Sequence, residues 1–231
     1  MELHNRVIVN VAVSDPQSWY RKGQQRLIDS LIVQGNKSHY DFTTMENSVY
    51  GNPYADKIMS IYNAYKNGYK YILYLDCSIK AIKSTEPIWN YIEEKGYYLY
   101  ESGENCAQTC NDHCLSCYGI TRDSAENMIE GATNVFGISL ETDFGQQFIE
   151  DIAKSVSNGA VNGVKNPTEE ERLMESADPR FKYHRVDQSV ISLVAGKLNL
   201  PMEKEGHFVS RWENAERTMN ENIIFTLKGG E

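Results

Sequence analysis

Residues 6–14, RVIVNVAVS, are apolar or β-branched at almost every position, so a strand formed by them needs cover on both faces, as in a parallel sheet between helices. The period then changes. In SWYRKGQQRLIDSLIVQG, Trp19, Leu27, Leu31 and Ile32 share one broad helical face and Gly35 supplies a stop. SHYDFTTM is a weaker strand candidate. YADKIMSIYNAY (54–65) sets Ile58, Ile61, Tyr62 and Tyr65 at helical spacing, closed by Asn67-Gly68, and YKYILYLD (69–76) is another apolar run. EPIWNYIEEKG predicts a short helix with Pro87 in its first turn and Gly96 past its end, followed by the strand candidate YYLYES. Such alternation predicts an α/β domain with a parallel, doubly wound sheet, in which ligands bind beyond the carboxyl ends of the strands.

The remainder is less regular. Thr121 is a candidate cap for a helix in TRDSAENMIEG, and TNVFGISL reads as a strand. TDFGQQFIEDIAKSVSNG is an amphipathic helix by its Phe144, Phe148, Ile149 and Ile152, whereas NPTEEERLMESADPRFKYHR is polar and reads as a surface excursion. The last strong helix, DQSVISLVAGKLNLP, buries Val190, Ile191, Leu193, Val194 and Leu198.

With 231 residues, 41% of them hydrophobic, the chain suits a single domain. A formal charge of -9 argues against gripping nucleic acid over the whole surface, which needs clustered Lys and Arg. No apolar run is long enough to span a bilayer and the first residues lack the marks of a signal peptide, so the default expectation is cytoplasmic. Five cysteines, an odd number, favour reduced thiols.

Asp76 ends the oily run YILYLD, where a doubly wound sheet opens its crevice. It is either a turn or cap residue or a hard oxygen ligand for Mg or Mn, with the Ser78 hydroxyl beside it. Cys106, Cys110, Cys114 and Cys117, with His113 among them, raise a zinc site. Their spacing departs from paired Cys-x-x-Cys knuckles and puts the thiols on one helical face, which favours packing as small hydrophobes. Asp187 in HRVDQS is a candidate N-cap.

The order of WYRKGQQRLIDSL, PYADKIMSIYNAYKNGYKYILYLDCSI, NVFGISLETDFGQQFIE and HRVDQSVISLVAGKLNL resembles nucleotide-sugar-dependent glycosyltransferases of the GT-A fold, across most of residues 6–210. Their usual Asp-x-Asp motif is here Asp76-Cys77-Ser78. The resemblance implies a mostly parallel sheet flanked by helices, with about 1–105 binding the nucleotide sugar and a less regular 106–231 facing the acceptor. It implies Val13, Ser14 and Tyr20, with Trp19 as an alternative stacking ring, around the nucleotide. Lys57 and Arg26 would lie near the diphosphate, Asp76, Ser78 and His207 would hold Mn2+ or Mg2+, and Gln188 would contact the donor. Asp187 would contact sugar or act as base, with Asp112 the other carboxylate candidate. For Lys57, Arg26 and His207 the competing reading is an ordinary surface charge. The reaction implied is hexosyl or pentosyl transfer to an acceptor hydroxyl on a glycan, a protein, a small molecule or a hydroxymethylated DNA base. A nucleotidyltransferase normally has a basic glycine-rich loop after its first strand, and VSDPQSW has none. A non-catalytic binding relative is the third class, because serine replaces the second aspartate.

Overall fold

A computed structural model describes residues 5–35, 40–164, 167–211 and 221–227. Two positions of the predicted second strand, Ser38 and His39, and the first residue of the polar excursion, Asn166, lie outside them. The opening half alternates as expected: β1 (Arg6–Val11), α1 (Trp19–Val33), β2 (Asp41–Met45), α2 (Pro53–Lys66) and β3 (Tyr71–Leu75). Next come β4 (Ile79–Ala81), α3 (Glu86–Lys95), β5 (Tyr97–Asn105), the short helices α4 (Cys106–Thr109), α5 (Asp112–Cys117) and α6 (Arg122–Ala125), and β6 (Ile129–Ser139). The chain continues with α7 (Asp143–Asn158), α8 (Glu169–Glu175), α9 (Asp187–Lys197), β7 (Val209–Arg211) and β8 (Phe225–Leu227).

The sheet corrects one expectation. Its order is β2-β1-β3-β6-β5; β1 pairs in parallel with β2 and β3, but β6 runs antiparallel to both β3 and β5. The sheet is therefore mixed. Apolar runs report that a strand is covered, not which way its neighbour points, so β6 could be located in the sequence but not oriented. A second sheet, β4-β8-β7, lies beside the first and was not foreseen, since its strands are three residues each.

Both faces of the main sheet are covered, which explains why β1 and β3 lack alternation. Val7, Val9, Ile72 and Tyr74 pack in one core with Ile58 and Ile61 of α2, Phe148 of α7 and Val190 of α9. Ile8, Leu73 and Leu75 point into the other, with Leu27 and Leu31 of α1 and Trp89 and Ile92 of α3. Burying each such aliphatic side chain stabilises the fold by roughly 1.5–3 kcal/mol. Close approach matters at Gly23 in α1, where a β-carbon would collide with the Cys77 carbonyl oxygen.

The cysteine-rich segment is not the single helix its spacing suggested. Asn105 and Asn111 each cap a short helix, Asn111 accepting from the Cys114 N–H at 2.7 Å, and Cys110 between them is extended. Cys106, Cys110 and Cys114 are nonetheless fully buried in the core, all five cysteines are free thiols, and Cys117 reaches the surface beside His113. The polar excursion forms α8, which buries nothing, but Phe181 and His184 after it turn back into the body. Among the described residues no helix is long and apolar enough to cross a membrane.

Candidate active site

From β1 the chain runs through α1 to β2 on one side, then through α2 to β3 on the other, and α1 and α2 pack on opposite faces. Crossovers that part in this way leave a crevice at the carboxyl ends of β1 and β3. A cleft of about 500 Å³ lies there. Val11, the last residue of β1, and Val13 just after it line the cleft, Trp19 and Tyr20 open α1 beside it, and Asp76 and Ser78 reach it from the turn after β3. Across it stand Tyr100 and Glu101 of β5, Thr133 and Asn134 of β6, and Arg185, Asp187 and Gln188 around the start of α9.

The turn after β3 is fixed from below by a buried polar set. Asn10, fully buried, donates to the Leu75 carbonyl at 2.7 Å, and Gln24 donates to Asn10 at 3.0 Å. The Cys77 thiol donates to the Val11 carbonyl at 3.3 Å; burial, with the Asp76 charge adding to it, pushes this thiol up to about 12. Asp76 accepts the Ser78 N–H at 2.9 Å, an Asx turn that leaves the carboxylate on the cleft wall. One carboxylate and one hydroxyl suit a divalent cation that arrives with phosphate oxygens and keeps water, as Mg2+ commonly does; they do not make an all-protein cage.

On the opposite wall, Asp187 is the first residue of α9, not its cap, which is Val186. Its Oδ2 lies 2.6 Å from Lys57 Nζ, with both side chains 9% exposed. Lys57 also donates to the Thr133 carbonyl at 2.8 Å and hydroxyl at 3.1 Å, and its ammonium sits 4.3 Å from the Tyr74 ring centre. An ammonium has three N–H donors, and these oxygens engage all of them. Lys57 is therefore the buried counter-ion of Asp187 as well as a lining residue of the cleft. Burial also raises the Tyr74 phenol well above its usual value.

Val13, Tyr20, Lys57, Asp76, Ser78, Asp187 and Gln188 thus share one cleft, and four expected residues do not. Ser14 turns to Ser18, the cap of α1, at 2.5 Å. Arg26 lies on the far flank of α1 and donates to the Cys77 carbonyl at 3.2 Å, bracing the turn from behind. Asp112, on α5, pairs with Arg122 at 2.5 Å. His207 stacks on Phe208 and faces Glu203 at 3.2 Å, so it does not complete a set with Asp76. Among the described residues no group of three or more His, Cys, Asp or Glu is placed to hold a metal ion, the cysteine cluster included. Trp19, expected to compete for the core, is 39% exposed and stacked on Tyr20 at 3.9 Å.

Several lining residues carried no expectation. Asn134 accepts from the Tyr100 hydroxyl, and its carbonyl takes the Asp76 N–H at 2.8 Å, tying β6 to the turn. Arg185 stood in plain view in HRVDQS, but nothing in the sequence says that residue 186 turns it toward the cleft.

The sequence matches no protein-family model and no curated protein. The fold is similar to the solved structure of a glycosyltransferase involved in the glycosylation of the major capsid of PBCV-1. The two share 12% sequence identity with a TM-score of 0.51, over 98% of this chain and 93% of that one. At such identity the likeness is one of fold.

Proposed function

We propose that the protein is a glycosyltransferase of the GT-A kind, moving a sugar from a nucleotide-diphosphate donor to an acceptor hydroxyl. The observation that carries this reading is the single cleft at the carboxyl ends of β1 and β3, in a fold similar to a glycosyltransferase, where Asp76 and Ser78 stand opposite Asp187 and Gln188. The stacked Trp19–Tyr20 pair, with Trp19 exposed, suits the flat base of a nucleotide. Asp76, with Ser78, would hold Mn2+ or Mg2+ together with donor phosphates, and the cation would offset charge developing on the leaving diphosphate. Gln188, whose amide nitrogen is buried without a partner, offers a donor to sugar hydroxyls. Asp187, fixed by Lys57, offers a carboxylate to the donor sugar or to the acceptor proton.

The test is incubation of the full chain with a panel of nucleotide sugars and Mn2+, following release of nucleoside diphosphate. Slow release that falls at least about tenfold in Asp76→Ala and on addition of EDTA is the expected result. Binding without release, unchanged by every acceptor tried, would identify a non-catalytic relative; release of pyrophosphate from nucleoside triphosphate and sugar phosphate would identify a nucleotidyltransferase.

A further inference from the structure

The Lys57 ammonium is engaged by Asp187 and Thr133, which leaves it no spare N–H donor for an anion in the cleft. Among the described residues lining the cleft, the other cation is Arg185, whose side chain is 39% exposed. Its surroundings are built. Glu130 on β6, 0% exposed, has one carboxylate oxygen 3.5 Å from Arg185 Nη1, and the same oxygen accepts from the hydroxyl of Ser102, itself a lining residue. The Arg185 guanidinium carbon lies 5.9 Å from the Tyr183 ring centre, and that ring is anchored by its hydroxyl to Glu104 at 2.6 Å.

The backbone is equally constrained. Arg185 donates its N–H to the Ser189 hydroxyl at 2.8 Å, its carbonyl accepts from Gln188 at 3.0 Å, and Ser189 donates onward to the Thr109 carbonyl. The next residue, Val186, has φ 48° and ψ -110°, a conformation a β-branched side chain rarely adopts. Strain of this kind persists where the surroundings over-determine it. Here it lets Arg185 and Asp187, on either side of Val186, line the same cleft.

We propose that Arg185 is the residue that binds the diphosphate of the donor, and that buried Glu130 is a positioning residue that holds its guanidinium at the cleft. The inference rests on the cleft being a nucleotide-sugar site. A guanidinium has five N–H donors in a planar fork, so one carboxylate behind it leaves donors for phosphate oxygens in front. Burial raises the Glu130 carboxyl above its usual range, while the Ser102 hydroxyl and the Arg185 charge favour its ionised form, the form that would pair with the guanidinium.

Calorimetry on the full chain with UDP, GDP, ADP and CDP, each against its nucleoside, tests this. Arg185→Gln is expected to weaken the preferred diphosphate at least about tenfold while leaving the nucleoside within about twofold, the loss of one charged hydrogen bond. Glu130→Gln, which keeps the shape and the Ser102 contact, is expected to weaken the diphosphate selectively and to add nothing in the Arg185→Gln background. Unchanged diphosphate affinity in Arg185→Gln, additive effects of the two changes, or equal loss of nucleoside and diphosphate in Glu130→Gln would each overturn the proposal while leaving the nucleotide site intact. Failure of the unaltered protein to bind any of the four diphosphates would overturn the site and the proposal together.

Discussion

At the scale of single residues, the Lys57–Asp187 pair is where structure and chemistry are hardest to separate. Two buried charges 2.6 Å apart are tolerable only together, because neither has water to fall back on. Lys57→Met should therefore cost about 3–5 kcal/mol in denaturant-induced unfolding by stranding Asp187, and Lys57→Met with Asp187→Leu should recover most of that. An exposed phosphate-binding lysine would cost under about 1 kcal/mol, so a small loss in the single variant rules out the counter-ion role. The cysteines make a second residue-scale claim. Cys77, Cys106, Cys110 and Cys114 are 0% exposed, and Cys117 is not. Titration of the native protein with a thiol reagent should label Cys117 rapidly and the other four only on unfolding; fast labelling of several thiols would contradict the packing.

At the scale of elements, the start of α9 shows how a strained turn serves a site. In Val186→Gly, relief of about 1–3 kcal/mol of backbone strain opposes the loss of a buried valine, about 1.5–3 kcal/mol. Melting temperature should thus move little, while turnover falls because Arg185 and Asp187 lose their fixed aim. Val194→Ala, in the buried face of the same helix, should do the reverse, costing about 2 kcal/mol with turnover per folded molecule retained. Equal turnover in Val186→Gly would show that the turn aims nothing. This turn was also the limit of what the sequence made legible. Helices α1, α2, α3, α7 and α9 and strands β1 and β3 could be read because apolar periodicity, a proline in the first turn of α3 and stop signals such as Gly35, Asn67-Gly68 and Gly96 act within a few residues. Asp76 could be placed at a strand's end by the same local signals. Lys57 could not be assigned to Asp187, 130 positions away, nor Arg26 to the back of α1, because those pairings depend on how elements stack. His207 failed for the same reason: its neighbours Glu203 and Phe208 are local, but the direction of that segment is not.

At the scale of the whole molecule, the two halves of the sequence do not correspond to two halves of the structure. β6 comes from the later part of the chain, yet lies between β3 and β5, and β5 pairs with β6 alone within the main sheet. A fragment ending at residue 105 would leave β3 with an open edge and β5 detached. It would also strip α2 of Phe148 and Val190, which share its core, and Lys57 of its counter-ion. An exposed strand edge and an unpaired buried charge both oppose folding. The fragment should give no cooperative thermal transition by circular dichroism and should bind no nucleotide, although it carries Tyr20, Asp76 and Ser78. Adding residues 106–231 in trans should restore both properties if the pieces reassemble around β6. A fragment that melted cooperatively alone would mean that the nucleotide-binding half is an independent unit, and that β6 and α9 only complete a site the first hundred residues already form.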